Sequence, residues 1–383
     1  MKNKFDARQY IMNALGNNAN DSRVKEELDL MSPKNFMEIF YAKKIADFLK
    51  ENNEYYIVRG IYGNLFINFL LGITNVDSYE LPYEFVFDKK DTSFVYEFHV
   101  SEAIEPKLIN YLDKLSMGIM ARTSTTCLLP YTDQLIGIND YINKNHNTLI
   151  EIRITKLSSL DRLNENIKKY GLPEKSILED EAINKEIFQK LNLDGITYSN
   201  TKCLKNLIPQ CEPEECNFYT YIYLLGIAHG KGLSEQMNSK RINEETMLKY
   251  PTNREDLYNL LLNKGISKGR ALEIVYFTRL GQKYRLKNIE KWEKLVNSFP
   301  KYLKDYLNEI DSIFPKYHLI AFAKMNYLEI YYRILENDVY NDESNNGYYF
   351  FTEKEKKIIT IEQTKYTFIT QKNVKKNGGE RLW

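Results

Sequence analysis

The chain has 383 residues, 43% of them hydrophobic and 27% charged, so it is long enough for two or three compact domains with real cores. No apolar run reaches the ~20 residues that a bilayer crossing needs, and the amino terminus lacks the apolar segment of a secretory signal; we therefore expect a cytoplasmic protein without membrane contact. The net charge of +1 excludes a uniformly basic protein, and four cysteines in a chain of this length exclude a disulfide scaffold.

The first 160 residues carry the strand signals. Alternating apolar and polar residues, or short apolar runs between turn residues, predict four strands. These strands are residues 55–59, 84–87, 94–100 and 148–154. Apolar residues at helical spacing predict helices over residues 31–52, 64–71 and 106–115. The pattern favours a small mixed sheet with helices packed across it.

Helical periodicity dominates from residue 164 to about residue 337. It is interrupted at five proline- or glycine-containing breaks. The breaks are residues 171–173, 209–213, 251–253, 265–269 and 314–315. We therefore expect a first domain of residues 1–160 and a helical domain of residues 161–337. Residues 338–383 are predicted to form a linker and a basic carboxy-terminal tail, in which residues 349–371 have the alternation of a small hairpin.

Basic residues are concentrated between residues 240 and 304 and again between residues 354 and 381. Such stretches either follow a phosphate backbone or form solvated helical faces, and charge alone leaves both interpretations open. Cys203, Cys211 and Cys216 also lie close together in the sequence. They lack a fourth ligand at metal-binding spacing, so we expect reduced structural thiols.

Five stretches carry motifs in a fixed order. They are residues 56–83 (YIVRGIYGNLFINFLLGITNVDSYELPY), 171–176 (GLPEKS), 225–230 (LGIAHG), 258–279 and 313–318 (IFPKYH). Their order and spacing, from about residue 28 to residue 340, resemble the palm and fingers of the PolC branch of C-family replicative DNA polymerases. The resemblance implies an α+β fold. A small mixed-sheet, palm-like domain of the nucleotidyltransferase type, with the thumb reduced or lost, would precede a mainly α-helical, fingers-like domain.

The same resemblance indicates the positions of the catalytic residues. The family holds two metal ions with an Asp-x-Asp pair and a third Asp on a neighbouring strand, and these positions match Val95, Glu97 and Glu151. A valine side chain cannot bind a cation. Displacement of a catalytic carboxylate by about 1 Å can lower the reaction rate by on the order of 10²-fold. Glu97 and Glu151 are therefore either exposed strand carboxylates or ligands of Mg²⁺ in a protein with residual activity; no other cofactor is expected. The acidic residues that could complete such a set are Asp88, Asp91 and Glu102.

Phosphate-, nucleotide- and DNA-binding candidates follow from the resemblance as well. Arg59, Gly60 and Gly63 match the family's triphosphate-binding turn, although bulky residues replace its small hydroxyl residue. The candidates in the helical domain are His229, Lys316 and His318, together with Lys268 and Arg270 from a turn that resembles half of a helix–hairpin–helix. Each of these residues also has a structural interpretation, such as tight turn geometry, an ion pair or a packed imidazole, and the sequence leaves that choice open.

The uneven loss of family features leads to three hypotheses. The first is a catalytically degenerate DNA polymerase III alpha-like protein, a pseudoenzyme that binds DNA (primer–template or single strand) or a replisome protein. The second is a minimal active DNA polymerase or nucleotidyltransferase that uses Glu97 and Glu151. The third is an interaction protein with no nucleic-acid role, in which the basic helices are solvated surface.

Overall fold

Three helices precede the first strand. The computed structural model describes residues 6–87, 94–116, 121–122, 124–130, 149–174, 176–199, 201–238, 240–343, 348–352 and 355–359. The three helices are α1 (Ala7–Leu15), α2 (Ser22–Leu30) and α3 (Pro33–Glu51). Each begins after a side chain that accepts hydrogen bonds from first-turn amides: Asp6, Asp21 and Ser32. The amino-terminal segment is therefore held in place by local capping as well as by packing.

A five-stranded mixed sheet follows these helices. Its strands are β1 (Ile57–Arg59), β2 (Tyr96–Val100), β3 (Ala121–Arg122), β4 (Thr126–Pro130) and β5 (Leu149–Lys156). The strand order is β1-β2-β5-β4-β3, with β2 and β5 parallel and the other pairs antiparallel. Among the described residues between these strands are the helices α4 (Phe66–Leu70) and α5 (Glu105–Leu115). The predicted small mixed sheet is confirmed.

The two faces of the sheet belong to different cores. Val58, Phe98 and Ile154 are buried in one cluster with the amino-terminal helices, as alternation along a strand requires. Ile57, one residue from Val58, is buried in a second cluster made mainly by the helical region. The second face of the sheet thus lies against the helices, and any site on it is a cleft between sheet and helices.

The helical region begins directly after the sheet. Its helices up to the first long break are α6 (Ser158–Tyr170), α7 (Glu181–Asn184), which continues into a π-helical turn, α8 (Lys202–Leu207) and α9 (Phe218–His229). The remaining helices are α10 (Ser234–Met237), α11 (Glu244–Lys249), α12 (Arg254–Asn263), α13 (Lys268–Leu280), α14 (Gln282–Lys287), α15 (Ile289–Val296), α16 (Lys301–Glu309) and α17 (Lys316–Glu343). Four of the five predicted breaks lie between helices, and the fifth, residues 265–269, extends into the first two residues of α13. The predicted α+β class, a small mixed sheet followed by a mainly helical region, is confirmed.

The carboxy-terminal part of the described chain departs from the prediction. Helix α17 continues to Glu343, past the expected end near residue 337. It is followed by an antiparallel hairpin of β6 (Tyr348–Thr352) and β7 (Glu355–Ile359), within the stretch whose alternation predicted one. None of the helices in the described part of the chain combines the length and apolar character that a bilayer crossing requires.

The predicted strand at residues 84–87 is wrong, because these residues form turns. Phe85 and Val86 are both buried, but Phe85 packs in the helical cluster against Tyr258 and Val86 packs in the amino-terminal cluster. The apolar residues here connect two cores and do not line one face of a sheet. Strands β3 and β4 were not predicted, since each is short and their pairing depends on β5.

Candidate functional site

A row of charged side chains crosses the sheet face that lies against the helices. The register places Arg59 of β1 opposite Glu97 of β2, and Glu97 beside Arg153 of β5. Neighbouring residues in register project to the same face of a sheet. The single carboxylate of this row is therefore flanked by a guanidinium-bearing residue on each side.

Glu97 is held by three partners through one oxygen. Its Oε1 lies 3.3 Å from Nη1 of Arg59 and 3.0 Å from Nε2 of His99, and it accepts a hydrogen bond from the Thr155 hydroxyl at 3.3 Å. The pKa of Glu97 is lowered, chiefly by the hydrogen bond with His99 and then by the charge of Arg59, against the opposing effect of burial. Glu97 is thus an ionised group whose charge is already neutralised by protein.

Glu151 and Val95, the other two positions that the resemblance aligned with metal ligands, also lack the properties of metal ligands. Glu151 pairs with Arg153 on its own strand, with 2.8 Å between Oε1 and Nε. Val95 lies immediately before β2 and is partly buried. Among the residues that the structure describes, no three His, Cys, Asp or Glu side chains are grouped so that they could hold a metal ion. Glu102 is exposed beyond the far end of β2, and Asp88 and Asp91 lie outside the described residues.

The turn after β1 has its backbone groups engaged by the protein itself. Gly60 has φ of 105°, in the region that favours glycine. Gly63 is buried so closely against α17 that a Cβ atom would lie 2.1 Å from ring carbons of Tyr317. At the start of α4, the amides of Phe66 and Ile67 donate to the buried carboxylate of Glu27 at 2.9 and 3.0 Å. The first amides of that helix are therefore satisfied by protein.

Three of the four histidines of the chain surround one phenylalanine in the cleft. The ring of Phe322 on α17 lies 4.4 Å from that of His318, 6.3 Å from that of His229 and 6.4 Å from that of His99, measured between centroids. Tyr198, 38% exposed, packs on the same ring at 4.5 Å. The predicted residues His229 and His318 are thus brought to the side of the cleft that faces Arg59 and Glu97.

Burial favours the neutral form of His229 and His318. It lowers the pKa of His318 well below its usual value of 6.5, and the positive charge of Arg59 acts in the same direction. Burial also lowers the pKa of His229. Unprotonated imidazoles packed on an aromatic ring form a largely apolar wall opposite the charged row of the sheet.

The remaining candidates lie outside this cluster or are engaged in structural contacts. Lys316, at the first residue of α17, forms an ion pair with Asp256 at 2.7 Å. Arg270 donates to the carbonyl of Leu295 at 3.1 Å and so ties α13 to α15. Lys268, the first residue of α13, is 75% exposed, and its ammonium lies 3.4 Å from Oε1 of Glu84. Of the predicted basic residues, Arg59 is the one that reaches the charged row.

Several residues of the cleft were missed by the sequence analysis. His99 and Thr155 lie two residues from Glu97 and Arg153 on their strands, so strict alternation would have placed all four on one face. Tyr198 and Phe322 gave no such signal, because their proximity to the sheet depends on how the helices pack. Cys211 and Cys216 direct their thiols to the backbone carbonyls of Leu207 and Glu212.

Comparison with known proteins gives one informative match. A stretch of 133 residues, 34% of this chain, is 28% identical to the PolC-type DNA polymerase III of Mycoplasma genitalium. The similarity supports a DNA polymerase III-like relationship. The matched stretch covers only 9% of the length of that polymerase. No protein-family model matches the chain.

Proposed function

We propose that this protein is a catalytically degenerate DNA polymerase III-like protein that binds primer–template DNA in the cleft between its sheet and its helices. The observation that carries the proposal is the row of Arg59, Glu97 and Arg153. Where two-metal chemistry requires converging carboxylates, this row supplies two cationic residues and one neutralised carboxylate.

The donor set does not fit a pair of magnesium ions. Mg²⁺ takes near-octahedral oxygen ligands at about 2.1 Å, and two such ions in a catalytic site lie about 4 Å apart. Here the position of the first family ligand is Val95, Glu97 already accepts from three groups, and Glu151 is paired with Arg153. A divalent cation at this place would have to displace guanidinium groups that repel it. We therefore derive no metal-dependent step.

The same charges favour an anionic ligand. Each arginine has one carboxylate partner, Arg59 with Glu97 and Arg153 with Glu151. Both guanidinium groups are partly exposed and can exchange these carboxylates for phosphates. Phosphates of a nucleic-acid backbone are bound mainly by such cationic side chains. The similarity to a DNA polymerase III makes DNA the partner that we propose, in preference to a replisome protein.

Binding assays test whether the protein binds DNA, and primer-extension assays test whether it lacks polymerase activity. We expect a labelled primer–template duplex to bind with an affinity that falls steeply with salt, and to show no extension with Mg²⁺ or Mn²⁺. The double variant Arg59→Gln, Arg153→Gln should weaken binding at least tenfold at low salt. Arg8→Gln is the control for the loss of a single arginine charge, because Arg8 is an exposed arginine on α1, on the far side of the sheet.

Two outcomes would replace this proposal with the alternatives. Metal-dependent extension that disappears on Glu97→Ala would establish a minimal active polymerase. Equal binding by the double variant and by Arg8→Gln, or no salt-dependent binding at all, would favour a protein partner with no nucleic-acid role.

A further inference from the structure

A second cationic surface lies in the helical region and shares no residue with the cleft. It consists of Lys240, Lys249 and Lys264 around Tyr250 and Tyr302, and we refer to it as the lysine–tyrosine patch. The ammonium of Lys240 is 4.8 Å from the ring centroid of Tyr250, that of Lys249 is 5.0 Å from Tyr302, and that of Lys264 is 5.8 Å from Tyr302. Three chain segments therefore bring their cations to two neighbouring rings.

The two rings form one platform. Their centroids are 6.5 Å apart and their planes are nearly perpendicular, at 79°. Lys249 lies between them, since its ammonium is also 5.6 Å from the ring of Tyr250. Tyr250 is anchored from below, because its ring packs on buried Tyr306 at 5.2 Å and its carbonyl accepts from the Tyr223 hydroxyl at 3.0 Å. The rings are held in place by the core, yet both are partly exposed.

The lysines of the patch are not neutralised by carboxylates. Across the described ranges, neither an ion pair nor a side-chain hydrogen bond joins any of the three to an acidic residue, in contrast to Lys304 and Lys316 nearby, which pair with Glu293 and Asp256. Three lysines gathered at two rings without a carboxylate in ion-pair contact attract an anion. The patch thus combines an unbalanced positive charge with exposed aromatic surface.

We infer that the lysine–tyrosine patch binds single-stranded DNA. In a single strand each base has free faces and a phosphate on either side, so a ring with ammonium groups next to it is complementary to a base and its flanking phosphates. A duplex buries its base faces in the stack and offers only phosphates. An acidic peptide offers charge without faces to stack. The weak cation–π contacts release the lysines readily to a phosphate, because a charge-assisted hydrogen bond is stronger.

Binding of single-stranded DNA by the patch extends the proposed function and rests on it for the choice of DNA as the ligand. A primer–template has a duplex part and a single-stranded template overhang. The cleft would hold the duplex near Arg59, and the patch would hold the overhang. The two surfaces can be tested separately because they share no residue.

The test uses the 383-residue protein and fluorescence anisotropy with a labelled oligo-dT of twenty nucleotides. The triple variant Lys240→Gln, Lys249→Gln, Lys264→Gln should lose at least tenfold in affinity at low salt, and the slope of log affinity against log salt should fall by about 2. The matched control is Lys283→Gln, Lys287→Gln, Lys294→Gln, which removes the same charge from exposed lysines of α14 and α15 away from the rings. We expect the control to lose less than threefold.

Variants of Tyr302 distinguish the contribution of base stacking to DNA binding from the contribution of charge. Tyr302→Phe keeps an aromatic face and should bind oligo-dT as well as the parent protein, whereas Tyr302→Leu should lose about tenfold. Thermal unfolding of each variant checks that the fold is retained. Equal losses in the two lysine triples, equal affinities of the two Tyr302 variants, or an oligo-glutamate peptide that competes as well as oligo-dT would each overturn the inference.

The two proposals fail in different ways. Arg59→Gln with Arg153→Gln should weaken binding of a blunt duplex and leave oligo-dT binding unchanged. If oligo-dT binding depends on the patch while the duplex does not bind, the cleft proposal fails and the patch stands. If the duplex depends on the arginines while the patch variants bind oligo-dT normally, only the patch fails.

Discussion

Arg59 and Glu97 face each other across the β1–β2 pair, with Nη1 of the arginine 3.3 Å from Oε1 of the glutamate. The pair lies on the sheet face that closes against the helices, and the same oxygen is also 3.0 Å from the buried His99. A carboxylate held in this way is a counter-ion for neighbouring cations. The charge of Glu97 therefore limits how strongly the cleft attracts an anion.

Removal of that charge should strengthen DNA binding. Glu97→Gln keeps the shape of the side chain but leaves Arg59 without the carboxylate that neutralises it. We expect the affinity for primer–template DNA to rise by roughly three- to tenfold at low salt, and the gain to shrink as salt screens the added charge. Anisotropy titrations at two salt concentrations measure it. Glu151→Gln is the comparison, with a smaller gain because that carboxylate is paired only with Arg153. A loss of affinity in Glu97→Gln would indicate that the carboxylate holds a group required for binding.

Because Gly63 lies so close to Tyr317, the addition of a single methyl group at Gly63 should lower the free energy of unfolding. The ring of Tyr317 is fully buried, so it cannot move aside when Gly63→Ala places a Cβ atom 2.1 Å from it. Overpacking of this kind costs about 1–3 kcal/mol of unfolding free energy. Urea denaturation measures the change. Gly269→Ala, where a Cβ atom meets nothing within 4 Å, should leave stability within about 0.5 kcal/mol of the parent protein. Equal stability of the two variants would contradict the packing at Gly63.

Glu255 should be a strong link between the turn after β1 and helix α17. Its buried carboxylate accepts from Nδ2 of Asn64 at 2.8 Å and from the backbone amide of Lys316 at 2.5 Å, and burial raises its pKa. Glu255→Ala leaves both donors without this acceptor, so we expect a loss of about 2–4 kcal/mol in unfolding free energy. Glu255→Gln retains an acceptor oxygen and should lose clearly less. Chemical denaturation at pH 7 compares the two. An alanine variant as stable as the glutamine variant would show that these hydrogen bonds contribute little.

Stability should fall as the pH drops below about 6.5, and His318 should cause part of that fall. Its pKa in the folded protein is lowered well below 6.5 by burial, with Arg59, His229, His99 and Arg254 adding positive charge around it. Below pH 6.5 the unfolded chain therefore binds a proton that the folded protein does not, which lowers the free energy of unfolding by up to about 1.4 kcal/mol per pH unit.

The variant His318→Gln removes this contribution. Urea unfolding at pH 7.5, 6.5 and 5.5 should give a shallower loss for the variant than for the parent protein. Buried carboxylates such as Glu27 and Glu329 have raised pKa values and titrate in both proteins, so the difference between the two curves isolates His318. Parallel curves would mean that His318 takes up its proton in the folded state as readily as in the unfolded chain.

Several features of the fold and of the candidate site can be predicted from the sequence alone. Alternation predicted β2 and β5 as strands, and proline and glycine placed the breaks between the helices, because these features depend on residues close together in the chain. Val95, which the resemblance aligns with a metal ligand, can be excluded as a ligand without a structure, since no fold gives that side chain an oxygen. The change in periodicity near residue 160 separated the region that contains the sheet from the helical region.

Only the tertiary structure decided what Glu97 does. Two of its partners, Arg59 and Thr155, come from strands that are distant in the sequence. Whether a carboxylate meets an arginine depends on strand register, which a one-residue shift would reverse. The same holds for Phe85 and Val86, whose apolar character fits either a strand or a connection between two cores. The histidines around Phe322 and the lysines around Tyr302 come together through helix packing, which local sequence patterns do not encode.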